Sequence, residues 1–525
     1  MAFDSNDDGR QIEMQKTNVR SEFYPQNDSK RLSHSVPHSG SMNSKGQFVR
    51  HRGLSWPVAA LFLIDALAGG GIVAIPAAIG VTAVWPGLFF AAFVCLMSTI
   101  TSVLLGRCWA ILQERYPVYR NHCRKPYAEI GEKAVGGYMK YFVSATINVN
   151  QFGVCVVYLL LSAKSINDGL SIFGPTLHFC LITLILATCL LPVTFLKSPE
   201  SFAFVVIGGM ICSVSAVTLI AIGSGMDYSL CAGHGSTKEV NTLKLLSGIG
   251  TLVFAFGGHS SFPTIQHDMR QPFNFDYSSY MAFSTLLLLY VPMAAIANIV
   301  YGSSIQASII NSLQTPWIQQ SVNVVLLLHF ILTFTLVLNP LNQEVEEFFG
   351  ITHQFGWKRV VVRTSTLLTI LFTGLTIPSF GPLLNLVGSS STLLTVLVYP
   401  VLFYLQFRYL MAAEKVRTEK KVKNANSDSY PTVTFMEMIQ HTDWNMLFIG
   451  FGIITIGLII CFGSSIAAVI ELTNAQFEAP CYVRWLEGSG VLHQGNLATI
   501  CCGTYKNISQ PGITCATENM VRSVH

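Results

Sequence analysis

Two runs of glycine interrupt apolar segments of this chain at matching places. Gly69-Gly70-Gly71 breaks the segment Trp56–Gly80, and Gly257-Gly258-His259 breaks the segment Leu245–Pro263. Glycine weakens a helix and leaves backbone groups without intrahelical partners. In hydrocarbon such groups are costly unless they line a cavity or hold a ligand. A helix restarting at Gly70 to Ile72 turns free amides and its positive dipole end inward, which suits a carboxylate. Carbonyls left over near Leu67 and Ala68, and near Ala255 and Phe256, suit an ammonium. The bare positions Gly69, Gly70, Gly71, Gly257 and Gly258, with the neighbouring Ala66, Leu67, Phe254 and Phe256, therefore form a candidate cradle for an amino acid zwitterion. The plainer reading is that these glycines only let helices pack closely. Two interruptions in matching positions favour a binding site near the bilayer midplane.

Few ionisable groups share these segments. Asp65 is the one acid well inside the first, and a carboxylate at that depth is usually functional, as a cation ligand or a proton carrier. The alternative is a structural hydrogen bond to a neighbouring helix. His259 lies at the second break, as a proton switch or as a bond across the interruption. His329 is a further titratable group within an apolar segment. Asn148, Asn150, Gln151 and Tyr158 share one segment, with Asn148 and Gln151 on one helical face. Tyr158 is the one of the four that reads as facing a substrate path; interhelical bonding is the plainer role for the others. Phe254 and Phe256 flank the second break as possible gates. Glu344, Glu346 and Glu347 read as solvated charges at a helix end. No phosphate-binding loop, metal-spaced Cys/His set or nucleophile–base set is present, so ATP-driven pumping and enzymatic activity are unsupported and no nucleic-acid partner is expected.

The elements that must position these residues are membrane spans. The chain is 51% hydrophobic and 11% charged, well below the charge content of about 25% in soluble proteins. Eleven segments are long and apolar enough to be candidates, near 56–80, 84–106, 140–163, 176–196, 202–224, 245–265, 279–301, 321–340, 360–378, 383–407 and 445–470. With the N-terminus in the cytoplasm, 26 of the 32 lysines and arginines fall on the cytoplasmic side and 6 opposite, which sets the orientation. Spans 1–5 and 6–10 make two fives of inverted topology, each opening with its interrupted helix, as in LeuT-like transporters. The expected fold is thus an all-α integral membrane protein with a five-plus-five inverted repeat and an eleventh span outside it. Residues 1–55 read as a disordered cytoplasmic tail, 56–470 as the membrane domain, and 471–525 as an outward tail. Tyr127 to Tyr138 reads as an amphipathic helix on the cytoplasmic surface. Cys481, Cys501, Cys502 and Cys515, with Cys231, gather on the oxidising side, where disulfides form in a pairing that the sequence does not give. Asn507-Ile508-Ser509 is a glycosylation acceptor pattern there.

These residues resemble a known family. Leu63-Ile64-Asp65-Ala66-Leu67-Ala68-Gly69-Gly70-Gly71-Ile72 through Pro76 is similar to the first-span motif of the amino acid/auxin permeases. Phe254-Ala255-Phe256-Gly257-Gly258-His259-Ser260-Ser261-Phe262-Pro263 resembles their sixth span, and Met269-Arg270-Gln271-Pro272-Phe273-Asn274-Phe275 its tail. Tyr127–Glu132 and Leu191–Leu196 fit as well. The resemblance covers roughly residues 50 to 470 and implies an eleven-helix carrier of amino acids driven by protons or sodium. Asp65 stands where sodium-coupled members often carry Asn, which leaves the coupling ion open. By the same resemblance, Thr333 or Thr335 on span 8 would help hold a sodium against span 1. No other cofactor is implied. A non-transporting sensor at the plasma or lysosomal membrane, signalling through its tails, is the alternative, and a channel a third reading.

Overall fold

A computed structural model describes residues 40–170, 178–195, 202–232, 241–420, 438–474 and 480–486, apart from 45, 82–83, 122, 352–355, 378–379 and 441, together with the strand pair 501–502 and 508–509. Among the described residues each candidate segment contains helix, interrupted in two of them at the glycine runs. Among the described residues seven are long and apolar enough to cross a membrane, or eight when a bent pair is taken as one span. The chain is an integral multi-pass membrane protein.

The first segment forms α1 (Trp56–Leu67) and α2 (Gly71–Ile79), bent 66° at the glycine run. Next come α3 (Val84–Arg115), the surface helix α4 (Pro126–Val135), α5 (Gly137–Leu170), α6 (Phe179–Thr194) and α7 (Phe202–Met226). The second interrupted segment forms α8 (Thr242–Ala255) and the short α9 (Phe262–His267). The Asn241 side chain caps α8, accepting from the Leu243 amide at 2.8 Å. Then follow α10 (Phe275–Tyr301), α11 (Pro316–Phe348), α12 (Trp357–Thr376), α13 (Phe380–Val387), α14 (Tyr399–Lys420), α15 (Trp444–Asn474) and the short α16 (Cys481–Leu486). Two π-helical turns, Gly388–Thr392 and Leu394–Val398, join α13 to α14. Such turns are rare and often lie at functional sites. Here Gly388 packs on the Gly250 carbonyl, and Thr392 lies against Gly257.

α4 occupies the expected amphipathic stretch and stops at Gly136, whose φ of 127° suits glycine. Its inner face is anchored: the Tyr127 hydroxyl donates to the Thr395 carbonyl at 2.6 Å. The outer face pairs Glu129 and Glu132 with Lys140, each at 2.6 Å.

Three expectations need correction. The tail assigned to residues 1–55 as disordered is ordered at its end. β1 (Gly40–Met42) pairs antiparallel with β2 (Phe48–Arg50), Gly40 opposite Arg50. The hairpin is tied down by Arg50 N–H donating to the Arg270 carbonyl and by reciprocal bonds of Leu54 with Asp268 and Arg270. Phe48 is buried under the guanidinium groups of Arg50 and Arg120. Charge counting missed this, because backbone pairing and one aromatic anchor do the ordering.

Glu346 is not solvated. It is fully buried and takes Arg359 Nε at 3.0 Å and Arg363 Nε at 2.5 Å; Arg363 also donates to the Thr194 carbonyl. This ion network joins α11, α12 and α6. The cluster of acids looked solvated in one dimension because both arginines sit beyond a loop, in a helix of their own.

Cys481 pairs with a cysteine outside the five candidates, Cys180 at the start of α6, with Cα atoms 5.6 Å apart. Cys180 lies within the candidate span 176–196 and is not among the five cysteines of the outward segments. Cys231 is buried; Cys501 and Cys502 form a short strand paired with Ile508–Ser509. Cys515 and Asn507 lie outside the described residues.

Removing one member of a buried ion pair costs about 3–5 kcal/mol. Glu346→Gln is therefore expected to lower the thermal unfolding temperature of the purified protein markedly. Replacing all three charges by Leu and Met should recover most of the loss. An unchanged melting curve for Glu346→Gln would contradict the assigned network.

Candidate functional site

The two helix interruptions lie side by side. A methyl group on Gly71 would come within 2.6 Å of Ala255 Cα, and one on Gly258 within 3.3 Å of the Ala66 carbonyl. Side chains on these glycines would push the breaks apart. Gly70 packs on Val157 and Leu161 of α5, and Gly69 faces the Tyr158 hydroxyl. At the first break Ile72 N–H donates to the Gly69 carbonyl at 3.1 Å. At the second, Gly257 N–H donates to Phe254 and Ser261 N–H to Gly258, each a tight turn rather than a helical bond. The start of α2 leaves its first amides, and the ends of α1 and α8 their last carbonyls, without partners inside their helices.

A cavity of about 430 Å³ opens beside this junction. At one end Gly69, Gly257, Gly258 and Phe254 form its wall; at the other it reaches Lys125, Asp268, Glu344 and Glu347 on the lysine- and arginine-rich side. Lys125 bridges Glu344 at 2.6 Å and Glu347 at 3.1 Å there, and Ser144 donates to Glu344 at 3.1 Å. Of the residues singled out in the sequence, Asp65, Ala66, Leu67, Gly69, Tyr158, Phe254, Gly257, Gly258 and Thr333 line this space, as do Asn148, Asn150 and Gln151.

Gly70, Gly71, Phe256, His259 and Thr335 lie outside the cavity wall. Gly70 and Gly71 instead set the spacing between elements. Phe256 is buried against Tyr290 with ring centroids 5.8 Å apart. His259 is fully buried, its Nε2 3.0 Å from the Ser98 carbonyl and 3.1 Å from Thr101 Oγ1, so it ties the second break to α3. Thr335 donates to its own helix at Ile331. Asn150 bonds Thr392 of the π turn at 2.5 Å.

Asp65 is 2% exposed, and its Oδ1 has no hydrogen-bond partner. It faces α7 where Gly209 has no side chain; a Cβ there would overlap that oxygen. His329 stands beside it, fully buried, with Nδ1 3.1 Å from both the Gly209 carbonyl and Ser213 Oγ, and Nε2 3.5 Å from Thr333 Oγ1. Asp65, His329, Ser213 and Thr333 thus gather groups from α1, α7 and α11 next to the first break. Sequence reasoning found Asp65, Thr333 and His329 but missed Gly209 and Ser213. The paired glycines Gly208-Gly209 were the available signal of a close approach on that span.

This arrangement, a bent first span and a second broken one beside a shared cavity, defines a class of helical membrane protein, and its fold is shared by a solved structure. The inward-facing conformation of Mhp1, a LeuT-fold protein, superposes with a TM-score of 0.52 at 11% identity, covering 86% of this chain and 96% of that one. Residues 52–439 match the family described as "Transmembrane amino acid transporter protein", and the chain belongs to that family. It is similar to amino acid transporter AVT1C of Arabidopsis thaliana, 27% identical over 69% of this chain and 66% of the relative. It is also similar to AVT1D of the same plant, 24% identical over 65% of this chain and 62% of the relative. The chain thus spans a little under two thirds of the length of these relatives.

A cysteine at Asn339, on the cavity wall, should react with a membrane-impermeant maleimide added to the side that carries Lys125, and not from the opposite side. Background from Cys123 is expected to be low, because burial and the nearby Glu129 charge push that thiol up to about 12. Equal labelling from both sides would contradict a cavity closed at the glycine end.

Proposed function

We propose that this protein is a secondary active transporter that moves amino acids across a membrane by alternating access, coupled to a proton or sodium gradient. The observation that carries the reading is the contact between the two helix breaks at one end of a cavity that both breaks line. Membership of an amino acid transporter family supports the substrate class.

In this reading eleven spans form two inverted fives, α1–α2 opening the first and α8–α9 the second, with α15 outside the repeat. The N-terminus is cytoplasmic, and the cavity faces the cytoplasm. The α2 amides at Gly70 and Gly71 take the substrate carboxylate. Carbonyls at the ends of α1 and α8, from Leu67 to Ala68 and Ala255 to Phe256, take its ammonium. Ala66, Gly69, Gly257 and Gly258 let the ligand approach backbone, and Tyr158 and Phe254 close over it. Asp65, with His329 and Thr333, carries the coupling ion or proton; His259 holds the second break in place. Residues 1–39 form a cytoplasmic tail and 471–525 an outward tail glycosylated at Asn507. The membrane is the plasma membrane or that of a lysosome or vacuole.

Proteoliposomes with an imposed pH or sodium gradient should accumulate at least one amino acid. Binding without accumulation would instead favour a sensor. Asp65→Asn should abolish gradient-driven accumulation while leaving exchange of internal for external substrate. Gly71→Val, which wedges the breaks apart, should cut uptake about tenfold or more at equal surface expression. Full accumulation by Asp65→Asn would remove Asp65 from the coupling step.

A further inference from the structure

Several buried tyrosines of this protein bond their hydroxyl to a neighbour. Tyr119 donates to Glu129 at 2.7 Å, Tyr127 to the Thr395 carbonyl at 2.6 Å and Tyr301 to Asp227 at 2.6 Å, and Tyr399 bonds Thr146 at 2.8 Å. Tyr290, in the middle of α10, does not. It is 1% exposed, and its hydroxyl has no hydrogen-bond partner in the protein. An unpaired buried donor is costly, and each one in a native structure calls for a reason. Phenylalanine would fill the same space without that cost, so packing does not account for the hydroxyl.

Three observations put Tyr290 at the junction of the two breaks. First, α10 runs alongside the first broken span and is tied to it at both ends. Ser278 donates to the Trp56 carbonyl at 2.8 Å, and Asn298 to the Pro76 carbonyl at 2.8 Å. These anchors are equally far apart on the two segments, so Tyr290 falls level with the end of α1 at Leu67 and Ala68, beside the glycine run. Second, its ring meets Phe256, the residue at which α8 stops, with ring centroids 5.8 Å apart. Third, it is near enough to interact electrostatically with Tyr158, whose own hydroxyl lies where a side chain on Gly69 would stand. Like Gly70 and Gly71, whose amides open α2, Tyr290 lies outside the cavity wall.

The chemistry of the group limits what can satisfy it. A phenol proton needs an acceptor. An ammonium has donors only and would leave that proton unpaired. A zwitterionic substrate seated at the breaks brings one anionic acceptor, its carboxylate. A hydrogen bond from a hydroxyl to a carboxylate is charge-assisted and roughly twice as strong as a neutral one. Held away from water, it also escapes solvent screening.

Resting on the transport reading above, we propose that Tyr290 is a substrate-binding residue whose hydroxyl donates to the substrate carboxylate beside the amides that open α2. The carboxylate seat is then made of main chain from the first break and one side chain from α10. The test is Tyr290→Phe in the full chain. The hydroxyl bonds nothing in the substrate-free protein, so the purified variant is expected to unfold at the parent's temperature or above it. In proteoliposomes given a radiolabelled mixture of the protein amino acids, its half-saturating concentration should rise about tenfold or more. The best-transported amino acid of that mixture is then set against its own carboxamide as a competitor. The parent should prefer the acid, and the acid-to-amide ratio should fall about tenfold in the variant. That ratio is read within one preparation, so a loss of folded protein cancels. Unchanged half-saturation and an unchanged ratio would overturn the assignment. A lower unfolding temperature with neither value changed would make the hydroxyl a structural anchor and overturn it too. Equal weakening of acid and amide would move the contact off the carboxylate. Each of these results leaves the transport reading standing, whereas a parent protein that accumulates no amino acid would overturn both.

Discussion

Backbone polar groups cannot be left bare in hydrocarbon, and this molecule interrupts two helices in the same place. The contact between Gly71 and Ala255 is possible only because no side chain intervenes, and the same holds where Gly258 meets Ala66 and Leu67. Each break therefore supplies a wall for the other. Gly69 of the first break and Gly257 and Gly258 of the second line one end of the same cavity. The rest of the structure can be read as what keeps these two interruptions in contact while other surfaces remain free to move.

Several devices serve that end. His259 fastens the second break to α3 through the Ser98 carbonyl, so the loop keeps its shape without presenting its imidazole to the cavity. Asn298 of α10 donates to the Pro76 carbonyl at 2.8 Å and steadies the far end of α2. The π turns after α13 bring Thr392 to Gly257 and hold Asn150 of α5 from the other side. Asn385 of α13 reaches both Ser247 of α8 and Glu471 of α15, so the last long helix is bonded to the broken one. On the basic side the contacts are ionic, Lys125 with Glu344 and Glu347, and half exposed at Glu347. Polar bonds of that kind separate at lower cost than the packed glycine junction. This asymmetry fits a proposed cycle in which the cytoplasmic mouth opens and closes around a fixed site.

Much of this was legible in the sequence because two signals are one-dimensional. Apolar run length finds membrane helices, and glycine inside such a run finds a break. Both interruptions, Asp65 beside the first and the amphipathic helix after α3 could be read that way. What could not be read depends on which helix lies beside which. Gly209 and Ser213 matter only because α7 packs on Asp65 and His329, and nothing in their own segment says so. Glu346 looked like a surface acid until α12 folded back with Arg359 and Arg363. Cys180 found Cys481 across 301 residues. The hairpin at residues 40–50 was hidden by its charge. Nor could the sequence say that Gly70 and Gly71 pack on α5 and α8, that Phe256 packs against Tyr290, or that Thr335 bonds its own helix.

The account stands on main-chain groups at the paired breaks holding both ends of an amino acid. An experimental structure of the protein with bound substrate tests this most directly. The substrate carboxylate is expected against the amides that open α2, with its ammonium against the carbonyls that end α1 and α8. Ligand density seated only at the Lys125–Glu344 mouth, or breaks that wind into continuous helices when substrate binds, would contradict it.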